Sequence, residues 1–302
     1  MNSLHGRRAL VVGAVVALCV GLGGAATAEP VAAGPGAGGG QQVVPGQRMS
    51  PPPARKAQPN AATTYRQYTA YYGPLTVQPG EAYNAWVYCP AGMVVTGGGE
   101  TNSSAGQMVL KDTYPVSGNG GWQVTVINVA PVNETVTVYA VCMSGLNDYG
   151  PIIGKTLMAP GQHAVVSAFC PPNTQVLGGG GFTDTLTDSA FRSGTLSAGQ
   201  WNAFTQNNDS VPHTLAAEVM CGSDVTNYQI VQGDPVDVPG NQEGVATVYC
   251  PAGTWVLGGG GQGGDMNTTD SFPLYPSQGW QVDFYNYDTD DDMYNPTVVC
   301  GN

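Results

Sequence analysis

One unit is written three times along this chain, and a repeat of that kind fixes architecture before any local motif does. The first copy carries Pro79-Gly80, Tyr88-Cys89-Pro90, Gly97-Gly98-Gly99, Trp122, Asn128 and Cys142. The second carries Pro160-Gly161, Phe169-Cys170-Pro171, the glycines 178–181, Trp201, Asn207 and Cys221. The third carries Pro239-Gly240, Tyr249-Cys250-Pro251, the glycines 258–261, Trp280, Asn286 and Cys300. Tryptophan and closing cysteine stand 20 positions apart in every copy. Repeats of about eighty residues are therefore expected over 67–147, 148–226 and 227–302.

The periodicity inside each copy is that of strands. In the segment from Trp122 to Asn128 the residues Trp122, Val124, Val126 and Asn128 share one face, as do Trp280, Val282, Phe284 and Asn286 in the third copy. The closing segments alternate in the same way, with Cys142 and Cys221 on the apolar face. Glycine and proline punctuate the chain too often for long helices. An all-β protein is expected, either one body with pseudo-threefold symmetry, such as a β-prism, or three disulfide-stapled sandwiches in tandem. The short connections between copies favour the single body.

The N-terminus reads as an export signal over 1–28, with Arg7-Arg8, an apolar core from Ala9 to Val20 and Ala26-Thr27-Ala28 as a cleavage site. Residues 29–66 are rich in Gly, Pro, Ala and Gln and read as a basic, disordered leader. Six cysteines then remain, two per copy, and the repetition selects Cys89–Cys142, Cys170–Cys221 and Cys250–Cys300 among the possible pairings. Exported proteins meet an oxidising compartment, where each such bridge contributes roughly 3–5 kcal/mol. The net charge is -12, and beyond Gly73 the bases are Lys111, Lys155 and Arg192 alone. Such a body repels nucleic acid and anionic membrane, so neither is expected as a partner.

The Cys-Pro-Ala-Gly openings at Cys89 and Cys250, followed by glycine runs and a distant Trp and Cys, resemble secreted bacterial proteins, many of them actinobacterial. The three Cys-Pro-bearing repeats also resemble the vitelline membrane outer layer proteins, β-prisms of the egg coat. The second copy departs from the pattern with Pro171-Pro172-Asn173. The resemblance covers the repeats, not the leader. It implies an extracellular β-prism and carries no catalytic residue across.

Candidate chemistry is sparse. The glycine runs lack the following helix and the lysine of a phosphate loop, and a partner ring lying over them is expected, each Trp covering its own copy's glycines. Trp122, Trp201 and Trp280 are candidate sugar-stacking platforms, with burial in the core as the competing reading. Asn128, Asn207 and Asn286 are candidate ligand contacts, with turn formation as the alternative. Asp288, Asp290 and Asp292 alternate as in calcium loops but lack the later glycine and glutamate, so a solvated acidic turn competes with a metal site. Past the signal segment the histidines are His163 and His213, and no nucleophile signature accompanies them. A carboxylate pair such as Asp184 with Asp188 has no counterpart in the other copies.

These features point to a secreted, non-enzymatic binding or surface protein recognising extracellular or cell-wall polysaccharide. The alternatives are a protein-partner binder or protease inhibitor and, last, a secreted hydrolase. No cofactor is expected beyond calcium.

Overall fold

The protein is described by a computed structural model over residues 39–43, 67–104, 106–116, 120–148 and 150–302. The expected signal segment and most of the expected leader lie outside the described residues. Within that leader, Gly39–Val43 forms strand β1, paired antiparallel with the first repeat. Composition argues against a core for this segment but says nothing of the backbone hydrogen bonds that a neighbouring strand edge offers.

Among the described residues every element is a strand, as the alternation predicts. The first repeat holds β2 (Gln67–Val77), β3 (Ala82–Tyr88), β4 (Val94–Asn102), β5 (Met108–Pro115), β6 (Gly121–Asn128) and β7 (Glu134–Met143). After the short β8 (Asn147–Asp148), the second holds β9 (Ile152–Met158), β10 (His163–Phe169), β11 (Gln175–Thr183), β12 (Ser189–Ser197), β13 (Gln200–Gln206) and β14 (His213–Ser223). The third splits its first strand into β15 (Gln229–Gln232) and β16 (Val236–Val238). It continues with β17 (Glu243–Tyr249), β18 (Trp255–Gly263), β19 (Asn267–Leu274), β20 (Gly279–Tyr285) and β21 (Asp292–Gly301). Pro79-Gly80 and Pro160-Gly161 turn the chain between the first two strands of their copies, the glycines at φ 74 and 71, where a side chain would be strained.

Each repeat splits its strands between two antiparallel ladders, the last strand between the first and third, and the fifth between the second and fourth. The disulfides tie one ladder to the other. Cys89 follows β3 and bonds Cys142 in β7; Cys170–Cys221 and Cys250–Cys300 repeat the arrangement, with Cα–Cα separations of 5.7, 5.6 and 5.7 Å. These are the three bridges that the repetition selects.

The repeats exchange edges in a cycle. β5 of the first repeat pairs with β11 of the second at Thr113 and Gly181, and β19 of the third pairs with β4 of the first at Ser271 and Glu100. The remaining seam brings β12 against β18, where the Gln262 amide donates to the Gly194 carbonyl (3.2 Å) without a continuous ladder. Four sheets result, of eight, six, four and three strands, packed in a propeller-like ring. This corrects both expected assemblies. The body is not a strict threefold prism, because one seam lacks its ladder, and it is not a row of separate sandwiches, because the ladders cross from repeat to repeat.

The glycine runs make this closure possible. Gly97, Gly178 and Gly258 lie backbone to backbone, each occupying the space that a Cβ on the next would need. Gly98, Gly179 and Gly259 lie under the rings of Trp122, Trp201 and Trp280, as expected from the repeat. Gly99, Gly180 and Gly260 abut the carbonyls of Ser271, Thr113 and Ser193 from the neighbouring repeat. Three successive residues thus serve the centre, the repeat's own core and the seam, and none has room for a side chain.

Candidate functional site

The threefold residues belong to the scaffold. Trp122, Trp201 and Trp280 are each 0% exposed, so none presents a ring face to solvent. Trp122 Nε1 donates to Thr113 Oγ1 (2.7 Å) and Trp280 Nε1 to Ser271 Oγ (3.0 Å). The asparagines are equally buried. Asn128 Nδ2 donates to the carbonyls of Val77 and Val132 (both 2.9 Å), while its Oδ1 accepts from the Ala130 amide (2.8 Å). Asn286 repeats this with Val238 (3.0 Å), Asp290 (2.8 Å) and the Asp288 amide (3.0 Å). Each asparagine ties the end of its strand to the next loop and to the first strand of its repeat, which is turn chemistry at a buried corner.

The acidic turn is solvated. Asp288, Asp290 and Asp291 are exposed. Asp292 turns away, its Oδ2 accepting from the Asp265 amide (2.7 Å) and its Oδ1 from the Met293 amide (2.8 Å). Among the described residues no three His, Cys, Asp or Glu side chains gather to hold a metal.

What the repeat does not predict is a cleft where all three copies meet. Its two adjoining cavities, about 350 and 330 Å³, share the lining residues Ile127, Leu186 and Thr187. The first repeat supplies Val109, Lys111 and Val129, the second the 184–188 loop, Asp209 and His213, and the third Asn267 and Tyr287. Tyr287 is 47% exposed, and its hydroxyl donates to the Gly106 carbonyl (3.1 Å), leaving a ring face on the rim.

At one end, His213 is clamped between two carboxylates. Its Nδ1 lies 2.9 Å from Asp184 Oδ1 and its Nε2 3.0 Å from Asp209 Oδ2. Asn207 sets this up, because its Oδ1 accepts from the Asp209 amide (2.9 Å) and fixes the loop. Partial burial pulls the imidazole toward neutrality, but the hydrogen bonds to Asp209 and Asp184 outweigh it and hold the pKa above the ordinary histidine value. Asp209, hydrogen-bonded to His213, is held below the usual carboxylate range. Both ring nitrogens are engaged, so neither is available as a general base.

At the other end, Lys111 and Asp188 form a buried ion pair at 3.5 Å, and Lys111 also donates to the Asp188 carbonyl. Thr205 Oγ1 donates to Asp188 Oδ2 (2.9 Å). Burial nevertheless pushes the Asp188 carboxyl above its ordinary value, against the pull of Lys111 and Thr205. Asp184 and Asp188, the carboxylates singled out in the sequence, therefore line different halves of the cleft, each engaged by its own basic side chain. Between them the hydroxyls of Thr185 and Thr187 bond each other (2.8 Å). The cleft combines an exposed aromatic face, apolar walls and fixed polar groups, a lining suited to a polyhydroxylated ligand.

From the sequence Tyr287 is one of several irregularly placed aromatics, with Tyr275, Tyr285 and Tyr294, that could stack on a sugar and that nothing local ranks, and nothing local marks Lys111 or Asp209 as cleft residues. Lys111 and Tyr287 depart from what the other copies carry at their places, whereas Asp209 has Asp288 at the equivalent place in the third copy. No protein-family model and no curated sequence matches the chain.

Proposed function

We propose that this is a secreted, non-catalytic recognition protein that binds an extracellular or cell-wall polysaccharide in the cleft between its three repeats, on a disulfide-stapled, propeller-like β-scaffold. The observation that carries the reading is the convergence of Tyr287, the His213 clamp and the Lys111–Asp188 pair from three repeats around one cleft. A sugar ring can lay its C–H face on Tyr287 while its hydroxyls meet the threonines and charged groups. The doubly engaged imidazole supports binding over hydrolysis. Three disulfides fit an oxidising, extracellular setting, and the resemblance to secreted bacterial repeat proteins agrees with it.

The test is affinity electrophoresis of the disulfide-intact chain through a panel of soluble polysaccharides, with calcium and with chelator. One polysaccharide should retard it saturably. Tyr287→Ala and Thr187→Arg, which remove the platform and fill the shared ridge, should weaken retardation about tenfold or more. Loss on chelation would show that binding needs calcium, and the Asp288–Asp292 turn would be the first place to mutate. Retardation that survives both substitutions would remove the cleft from the reading. Absence of retardation on every polysaccharide would favour the protein-partner or inhibitor alternative, tested by pulldown from secreted extracts.

A further inference from the structure

The seam between the third and first repeats carries a group the cleft does not use. Glu100 stands where the other copies have Gly181 and Gly261. Its side chain is 0% exposed and neither carboxyl oxygen meets a hydrogen-bond partner at normal geometry among the described residues; the nearby Asn102 side chain pulls its pKa down, less strongly than burial and Asp270 push it up. Its neighbour is the carboxyl group of Asp270, 3% exposed, on the strand that pairs with its own. Asp270 Oδ1 accepts from the Asn102 amide (2.6 Å) and from Asn102 Nδ2 (2.7 Å), carrying the seam on past its ladder. Asp283 stands opposite Asp270 on β20, so three acids lie on three adjacent strands.

Among the described residues no cation faces them. Tyr139 on β7 and Glu243 on β17 are the other titratable groups that bear on the cluster. Of the bases on neighbouring strands, Lys111 on β5 is engaged by Asp188 and Arg192 on β12 by Asp265. Burial with no counter-ion disfavours the ionised form of a carboxylate, and a second carboxyl beside it disfavours it further, so the protonated form is the favoured one here. Closure itself does not require an acid here, since glycine fills the same position at the other two seams.

We propose that Glu100 and Asp270 form an acid-operated latch: with a shared proton they close the seam between the third and first repeats, and release of that proton to water loosens it. Burial first, and neighbouring carboxylates second, raise both groups: Asp270 to about 8 and Glu100 well above the ordinary value. Groups whose folded pKa is raised stabilise the fold fully below their unfolded value, near 4. That contribution falls away as pH climbs through the folded value, so the window runs from about 4 to about 8.

Thermal melting of the full disulfide-intact chain from pH 5 to 9 tests this. The wild-type Tm should fall by about 5–10 °C over that range. Glu100→Gly, which copies the other repeats, and Glu100→Gln should flatten the slope, which separates the latch from general repulsion in an acidic protein. Should either variant fold poorly, the wild-type side-chain carboxyl ¹³C resonances give the same answer by titrating above pH 6. Amide exchange at residues 99–102, corrected for intrinsic rates, should rise with pH more than at residues 180–183 of the equivalent seam. A flat wild-type Tm, an unchanged slope in both variants, or carboxyl titration near pH 4 would overturn the proposal.

Discussion

Gly179 shows how little freedom the repeated residues have. A Cβ there would overlap the ring of Trp201 and the Glu218 carbonyl. Gly179→Val should therefore cost about 2–4 kcal/mol, read as a lower urea midpoint at unchanged slope. Unchanged stability would mean that the ring does not depend on the bare strand. The contact was legible in the sequence, because tryptophan and glycine recur together at fixed spacing in three copies. The role of Glu100 was not. It sits one residue beyond a glycine run, and its partner Asp270 is some 170 positions away, brought near only by ring closure. Residues shared by all three copies proved to be scaffold, whereas the cleft and the acid pair are built from residues that differ between copies.

At the scale of elements, two kinds of irregularity recur and do the joining. The third strand of each repeat shifts register just before its first central glycine, between Val95 and Gly97, Val176 and Gly178, and Val256 and Gly258. The fourth strand shifts between Leu110 and Asp112, Ser189 and Arg192, and Thr268 and Asp270. A bulge re-aims the residue that follows it. Asp112 uses this to accept from the Thr183 amide (3.0 Å) across the seam, as Asp270 does from Asn102. Arg192 at the third seam cannot accept, and reaches Asp265 instead (3.5 Å). Removal of the acceptor in Asp112→Ala strands a buried amide and should cost about 1–3 kcal/mol, while Asp112→Asn, which keeps an oxygen, should cost less. Paired urea unfolding curves decide it, and equal losses would show that the side-chain oxygen does not carry the seam. Strand periodicity predicts the elements but not these bulges, because a bulge is a mismatch between two strands and is not encoded in either alone.

For the whole molecule, the cyclic exchange of edges makes each repeat incomplete by itself. The fragment 67–147 loses the neighbours of both β4 and β5, leaving two bare edges, that of β4 glycine-rich. It should show no dispersed amide spectrum even with Cys89–Cys142 formed, whereas the full chain should unfold in one calorimetric transition. A well-folded fragment would restore the picture of independent units. By itself the sequence determined the strand class, the three disulfides, the glycine-under-tryptophan packing and the unit of repetition, since all four are local patterns written three times. Only the tertiary structure decided how the copies close, where the cleft lies and which acids share a buried seam. Those depend on which strand edges find each other across the chain, and edge pairing is set by backbone hydrogen bonds that every sequence offers alike.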